Sequence, residues 1–401
     1  MKLRTLALLS LLASPAALLA QTPDAPRVFQ VSPALLAQIK KDQTPNILKA
    51  VRADADKAMK QGPWSVMQKT ITPTSGDKHD YMSLARYFWP NPATPDHLPY
   101  IRKDGQSNPE IKTIADHEGL HNMAKYSHMI ALAWYLTGDE KYAQRASLLL
   151  RVWFLNADTK MNPNLQFAQA IRGVNDGRGT GILDARDLVD TCDAAGLLAG
   201  SAAWTTADQT ALTAWFDQYY TWLTTSPHGK DEAAAKNNHG SWYDVQATGI
   251  ALFLGKNDDA RKMIETAKTK RVALQFKPDG SQPLELARTN SWHYSVFNLT
   301  ALAELSELGN TLGIDLWHVA PTSTSSNLQT GLDFVIPAAS GKPWVQKELE
   351  PITPDPIVLP LTLAALRLND AKYDALAHKL GGTPNTQLLI LNAASNAGTA
   401  K

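Results

Sequence analysis

Repeated pairs of helical segments constrain the fold of this chain more than any other feature of its sequence. In the first pair, residues 117–136 and 140–155, apolar residues recur at helical spacing on either side of a Thr137-Gly138-Asp139 turn. Further helical segments are expected at 33–59, 184–203, 206–224, 242–254, 258–275 and 283–308, with weaker ones through 316, 328–335 and 361–368. No segment alternates convincingly as a strand would. Consecutive hairpins predict one all-α domain, built as a ring or solenoid with its loops along one rim.

Two polar stretches interrupt the helical pattern. The longer one, residues 71–109, is rich in Pro, Asp, Gly and aromatic residues. A loop of this length in a compact protein is either disordered or functional, and its aromatic content predicts an ordered wall or lid over a site. The shorter one, residues 162–181, ends in the Gly-rich run Asp176-Gly-Arg178-Gly-Thr-Gly181.

The first twenty residues resemble an export signal. Lys2 and Arg4 precede an apolar run, residues 6–19, that is too short and too broken to span a bilayer. Cleavage near Ala20 would leave residues 21–401 as one domain in the periplasm or outside the cell, with no membrane contact. Cys192 is the only cysteine, which excludes an internal disulfide.

The charge balance narrows the choice of partners. A formal net charge of +1 over 401 residues argues against a nucleic-acid partner, because such proteins carry a basic excess. We expect a monomer or a weak oligomer.

A dense polar cluster, Lys236-Asn-Asn238-His239-Gly-Ser-Trp242-Tyr-Asp244, precedes an apolar helical run. Unpaired N–H groups and the positive end of the dipole lie at a helix N-terminus, which favours an anionic ligand group. An ordinary helix cap would need only one Asn or Ser. The cluster therefore indicates a functional site rather than a cap.

A second cluster lies some fifty positions later, in Pro283-Leu-Glu285-Leu-Ala-Arg288-Thr-Asn-Ser-Trp-His293-Tyr294-Ser-Val-Phe297. On a helix, Glu285 and Arg288 would be neighbours at i, i+3 and could simply form a buried pair. A functional interpretation requires Arg288 and Tyr294 to face His239.

These clusters resemble the alginate lyase superfamily of polysaccharide lyases. The likeness rests on Asn238-His239 with Arg288 and Tyr294, and on the tracts Tyr81-Met-Ser, Trp89-Pro90, Asn164-Leu-Gln166 and 176–181, over roughly residues 80–300. The resemblance implies an incomplete α/α toroid of helical hairpins with a deep cleft. The Arg-to-Tyr spacing is one residue shorter than in family-five alginate lyases, and Gly-Ser-Trp follows Asn-Asn-His. Both departures favour the glucuronan-lyase-like branch, family thirty-eight.

The resemblance also implies a reaction, β-elimination on a β-1,4-linked uronate polymer such as alginate (polymannuronate) or glucuronan. Asn238 and Arg288 would neutralise the substrate carboxylate, as donors in an oxyanion hole do. His239 would take the C5 proton or assist neutralisation, and Tyr294 would protonate the leaving O4 or also act as the base. One tyrosine could serve both steps for mannuronate or glucuronate, in which H5 and O4 share a side. Guluronate would need a separate base.

Further residues are candidate contacts for the anionic polysaccharide, and no metal or cofactor is required. They are Tyr81, Arg86, Trp89, Arg102, His117, His121, Gln166, Gln169, Arg178, Trp242 and His293.

Other functions remain open at this stage. His117-Glu118-Gly-Leu-His121 matches the H-E-x-x-H zinc-protease signature, with Glu140 as a conceivable third ligand, although Gly119 weakens the helix. A glycoside hydrolase would need two carboxylates, for which Glu285, Asp244 and Asp279 are available. A non-catalytic uronan-binding protein would keep the aromatic residues without needing His239 or Tyr294.

Overall fold

The computed structural model describes residues 25–381 and 385–398, and the predicted signal segment lies outside them. The described residues are mostly helical. The helices are α1 (Pro33–Asp42), α2 (Pro45–Ala58), α3 (Asp116–Thr137), α4 (Glu140–Leu150), α5 (Leu188–Leu197), α6 (Thr206–Thr225), α7 (Pro227–Ala234), α8 (Asn238–Phe253), α9 (Asn257–Ala267), α10 (Ala273–Gln275), α11 (Pro283–Leu286), α12 (Ser291–Asn310), α13 (Leu328–Ala339), α14 (Asp355–Leu368), α15 (Ala371–Leu380) and α16 (Thr386–Gly398). Short 3₁₀ segments lie at Val66–Gln68, Pro109–Thr113 and Gly179–Ala185, and π segments at Arg151–Leu155 and Lys268–Val272.

Local chemistry sets the helix ends as the sequence predicts. The α3–α4 turn is formed by Gly138, which adopts a left-handed φ of 70°, and by Asp139, whose side chain accepts from the N–H of Lys141. Thr205 and Asp208 form a reciprocal capping box at the start of α6. These caps define hairpins that can pack side by side.

The hairpins form a two-layered α/α toroid. Its inner helices pack in the order α3, α5, α8, α12 and α14, and α16 and α2 connect α14 back to α3. Outer helices cover this ring: α4 packs on α3, α6 and α9 on α8, and α15 on α14. One continuous apolar core lies between the layers and includes the fully buried Trp153, Trp292 and Trp317. The predicted all-α toroid is confirmed.

Four short strands lie in the loops of the described residues, so the expectation of no strands is wrong. β1 (Met82–Leu84) pairs in parallel with β4 (Phe167–Ala170), and β2 (Phe88–Trp89) pairs antiparallel with β3 (Ile101–Arg102). Strands of two to four residues are too short to show alternation in a sequence. The β1–β4 pair joins the two polar loops, which places both on the same rim.

Several predicted helix bounds need correction. Residues 33–59 form two helices because Pro45 begins a new one, and the predicted helix 283–308 breaks between α11 and α12. Residue 316 is not helical, and α7, α15 and α16 were not predicted. Among the described residues, no helix is both long and apolar enough to cross a membrane.

Candidate active site

His239 is the one residue of α8 that reaches solvent, since the other residues of this helix are all buried. Its Nδ1 donates to Oε1 of Glu232 at 2.6 Å, and Glu232, at the end of α7, is only 1% exposed. A carboxylate on Nδ1 fixes the orientation of the ring and leaves Nε2 free to face the cleft. The histidine is therefore held ready to exchange a proton through Nε2.

Asn238 joins the two clusters that the sequence singled out. Its backbone N–H and its Nδ2 both donate to the carboxylate of Glu285, each at 2.7 Å. Burial raises the pKa of Glu285, while the hydrogen bonds from Asn238 act in the opposite direction. Asn238 itself is fully buried, so it presents no accessible donor to the cleft in this structure. Its two hydrogen bonds to Glu285 connect α11 to the start of α8.

Arg288 lies in the break between α11 and α12 rather than on a continuous helix. Its Nη2 and Nε donate to the carboxylate of Asp104 at 2.7 and 3.1 Å, and the N–H and hydroxyl of Thr289 bind the same carboxylate. Burial alone would raise the pKa of Asp104, but the hydrogen bonds from Arg288 and Thr289 hold it well below its usual range. Asp104 thus fastens the 71–109 loop over the site.

Tyr294, on the first turn of α12, contacts that same loop. Its hydroxyl lies 2.7 Å from the hydroxyl of Tyr87, and the guanidinium of Arg288 lies 3.7 Å from its ring centroid. Burial raises the pKa of Tyr294, and Tyr87 raises it further, while the positive charge of Arg288 opposes both. The phenol is therefore protonated at rest, which suits a proton donor.

The two chemical groups lie at the same level of adjacent inner helices. Trp242 and Phe297, each three residues beyond His239 and Tyr294, have ring centroids 5.0 Å apart. The histidine and tyrosine thus share one end of the α8–α12 pair, beneath the loop that carries Tyr87.

Asp184 organises the neighbouring wall of the cleft. Its Oδ2 accepts from the hydroxyls of Tyr81 at 3.0 Å and Ser83 at 2.6 Å, and its Oδ1 accepts from Gln169 Nε2 at 2.8 Å. His117 Nε2 lies 3.9 Å from the same carboxylate. Tyr81 is fully buried, so in this structure it presents no surface to the cleft and supports Asp184 instead.

Gln169 and Arg178 form a fixed pair on this wall. Gln169 has a left-handed φ of 52°, a strained conformation for a residue with a side chain, and its N–H donates to Ser83 Oγ. Arg178 donates to Gln169 Oε1 at 2.8 Å and stacks over the ring of Phe88. The amide of Gln169 is thus occupied by protein partners, while Arg178 keeps part of its surface accessible.

The remaining polar candidates lie on the rim. His121 Nδ1 donates to Asp187 at 2.7 Å, and Gln166 Nε2 lies 3.2 Å from His228 Nε2. His293 Nδ1 donates to Glu348 at 3.0 Å, on a segment that packs against the start of α12.

Besides Tyr81, three candidates belong to the 71–109 loop itself. Arg86 is exposed, and Arg102, 57% exposed, binds Asp104 at 2.7 Å. The indole of Trp89 donates to the carbonyl of Gln106 and is half-buried. All three side chains remain partly accessible.

Trp242 does not offer a stacking face to a sugar. It is 6% exposed, and its ring packs against Phe297. In this structure Trp242 is part of the buried run of α8, which begins at Asn238 rather than at residue 242.

Glu232, Asp104 and Tyr87 are site residues that sequence reasoning did not single out. Tyr87 and Asp104 lie within loop tracts that were noted only for their composition. Glu232 is seven residues before His239, and the turn between α7 and α8 was needed to bring the two together.

The conceivable third ligand of the zinc-protease motif is hydrogen-bonded elsewhere in the protein. Glu140, the conceivable third zinc ligand, accepts hydrogen bonds from Ser201, Ala203 and Trp134 at the far end of α3. No group of three or more metal-ligating side chains is arranged to hold an ion within 25–381 and 385–398.

The carboxylates considered for glycoside hydrolysis are likewise occupied. Asp244 forms a buried ion pair with Arg271, Glu285 binds Asn238, and Asp279 caps a turn at Ser281. They do not form a pair across the cleft.

Comparisons with known proteins show the family of this chain. The family model described as alginate lyase matches residues 65–344. A crystal structure of an alginate lyase from Bacteroides ovatus is 39% identical with a TM-score of 0.86, over 92% of this chain and 99% of that one. Alginate lyase A1-III from Sphingomonas species A1 is 16% identical with a TM-score of 0.54, over 83% and 95% of the two chains. A histidine-to-alanine variant of A1-III complexed with a tetrasaccharide is 17% identical with a TM-score of 0.55, over 84% and 94%. No curated protein sequence matches the chain.

Proposed function

We propose that this chain, which belongs to the alginate lyase family and is a polysaccharide lyase, cleaves β-1,4-linked uronate, alginate or glucuronan, by β-elimination. The observation that carries the proposal is that His239, oriented by Glu232, and the protonated Tyr294 lie at the same end of the packed helices α8 and α12. These are the two proton-transfer groups that the elimination requires.

The hydrogen bonds support separate proton-transfer roles for His239 and Tyr294. Nδ1 of His239 is bound to a carboxylate, so Nε2 of the neutral ring can accept the C5 proton of the sugar. Tyr294 starts as a neutral phenol, because burial raises its pKa, and can donate its proton to O4 as the glycosidic bond breaks. We assign His239 as the base and Tyr294 as the acid.

Charge on the substrate carboxylate grows as the C5 proton leaves. The mechanism therefore needs a positive or hydrogen-bonding partner for that group, which preorganised donors supply without reorganisation. In this structure Arg288 is bound to Asp104 and lies over Tyr294, so its charge acts on the phenol rather than on the substrate carboxylate. The positive charge of Arg288 acts to lower the pKa of Tyr294, which favours release of its proton to O4.

The identity of the polymer is part of the proposal. Alginate lyase A1-III forms complexes with a tetrasaccharide in histidine-to-alanine and tyrosine-to-phenylalanine variants, which supports a uronan chain as substrate here. The Arg-to-Tyr spacing and the Gly-Ser-Trp run support the glucuronan-lyase-like branch. A separate base and acid would also permit attack on guluronate, whose H5 and O4 are on opposite sides.

The decisive test is incubation with polymannuronate, polyguluronate, glucuronan and hyaluronan, followed by ultraviolet absorbance of the unsaturated product. Elimination creates that chromophore, whereas hydrolysis or binding alone does not. Tyr294→Phe should abolish turnover and keep its fold, while Tyr126→Phe, a half-buried tyrosine stacked on Trp64, should remain active. Full activity of Tyr294→Phe would remove this phenol from the mechanism, and binding without product would favour a uronan-binding protein.

We also propose that the protein is exported. The basic start and short apolar run of residues 1–20 support this. N-terminal sequencing of protein recovered from the periplasm or medium should begin near Gln21. Recovery of the intact chain from the cytoplasm alone would refute export.

A further inference from the structure

A second cationic group lies one helical turn away from the proposed catalytic pair. Trp242 and Phe297 pack together three residues beyond His239 and Tyr294, and the guanidinium of Arg186 lies 5.8 Å from each ring centroid. One turn of helix corresponds to about 5.4 Å, which is the scale of a single pyranose ring. Arg186 therefore packs on two rings that lie about one helical turn from the proposed catalytic pair.

The donors of Arg186 are less occupied than those of its neighbours. Its Nε lies 3.5 Å from Asp187 Oδ1, beyond a good hydrogen bond, and its Nη1 lies 3.5 Å from the carbonyl of Leu183. Arg288 is bound by Asp104 at 2.7 Å and Arg178 by Gln169 at 2.8 Å. The side chain of Arg186 is 26% exposed, so its guanidinium remains accessible.

The acidic residues around Arg186 neutralise its positive charge only in part. Asp187 is shared with His121, which donates to its Oδ2 at 2.7 Å. Burial, Asp190 and Asp187 raise the pKa of Glu304 to about 8 against the influence of Arg186, so Glu304 is mainly neutral at pH 7. The pKa of Asp190 is also raised by burial.

The aromatic rings hold this cation in place. A guanidinium stacked on aromatic faces loses little further freedom on binding, and its planar fork matches a carboxylate. Lysine would supply the charge without that fork.

We propose that Arg186 is a specificity-determining residue that binds the carboxylate of the uronate next to the reacting ring. This inference rests on the proposed function, because it takes a uronan as the ligand. It explains how the enzyme would select an acidic sugar in a second position. The contribution is to substrate binding and not to proton transfer.

The test measures binding separately from turnover. The probe is a mannuronate tetrasaccharide, titrated calorimetrically into Tyr294→Phe protein with and without Arg186→Gln. Loss of one charged hydrogen-bonding partner should weaken binding about 10- to 100-fold, with Arg186→Lys in between. The same tetrasaccharide with its carboxylates reduced to alcohols should bind both proteins alike.

Arg261→Gln is the matched control, because Arg261 is an exposed arginine on α9 that binds only the carbonyl of Leu312 among the described residues. In otherwise wild-type protein, Arg186→Gln should raise KM by the same factor and leave kcat within about 3-fold. Unchanged affinity for the acidic probe, or an equal loss for the reduced probe, would overturn the assignment. If the wild type binds the acidic probe without forming unsaturated product, the proposed lyase reaction fails while the carboxylate contact can still be read from the titration.

Discussion

Replacing Glu232 by glutamine tests how the site holds its base. The substitution keeps an oxygen that can accept from His239 Nδ1 but removes the negative charge 2.6 Å away. A charged hydrogen bond contributes about 1.5–3 kcal/mol, whereas a neutral one contributes about 0.5–1.5 kcal/mol, so the ground-state difference is roughly 1 kcal/mol.

The transition state adds a larger contribution. When Nε2 takes the C5 proton, the ring becomes positive beside the buried Glu232. Two charges about 4 Å apart interact by about 4 kcal/mol at an effective dielectric constant of about 20. Because each 1.36 kcal/mol corresponds to a factor of about ten, kcat for Glu232→Gln should fall about 10- to 1000-fold.

The assay is the initial rate of unsaturated-product formation from polymannuronate at saturating substrate, with the thermal unfolding midpoint recorded for each protein. Asp231→Asn is the control, since it removes an exposed carboxylate from the preceding position of the same helix. A folded Glu232→Gln enzyme with kcat within about 3-fold of the wild type would refute His239 as a base that becomes charged.

Three other perturbations give distinct results. Tyr87→Phe removes the hydroxyl 2.7 Å from Tyr294, and turnover should fall about 2- to 12-fold, as for one neutral hydrogen bond. Asp104→Asn weakens the contact with Arg288, so trypsin should cleave the surrounding loop faster than in the wild type while the core remains protected. In the folded protein Glu304 has a pKa of about 8, whereas in the unfolded chain its pKa is the ordinary 4.5. Between these pH values only the folded state keeps the proton, so the free energy of unfolding should fall as pH rises. Glu304→Gln should make that slope shallower in urea titrations at several pH values, and an unchanged slope would contradict the assignment.

The hairpin architecture could be predicted because it follows from periodicity and local caps. Gly138 and Asp139, for example, end one helix and begin the next through their own backbone and side-chain chemistry. The position of His239 was also accessible, since an Asn-His cluster before an apolar run predicts a helix N-terminus. Both inferences depend only on residues that are close to one another in the sequence.

The partners of these residues could not be predicted in the same way. Asp104 and Arg288 are 184 positions apart, and Tyr87 and Tyr294 are 207 apart. No local pattern distinguishes Tyr87, which reaches the site, from the equally aromatic Tyr81, which is buried against Asp184. Strand pairs of two to four residues decide that difference by setting which way the loop side chains point.

Pairing of charges within the protein explains why the site can be rigid before substrate arrives. Glu232 orients His239, Glu285 holds the Asn238 segment, and Asp104 holds Arg288. Each pair limits motion of a group needed for chemistry, but the pairs of Asn238 and Arg288 also consume donors that the sequence assigned to the substrate.

An incoming uronate therefore adds negative charge to a site whose polar groups are largely satisfied. Nε2 of His239 is available to the reacting ring, and the stacked Arg186 is available about one turn farther along the helices. Preorganisation by protein carboxylates is compatible with binding a polyanion when a cation with less occupied donors, such as Arg186, remains within reach of the chain. For this reason Arg186, rather than the already paired Arg288, should control the affinity for acidic sugars.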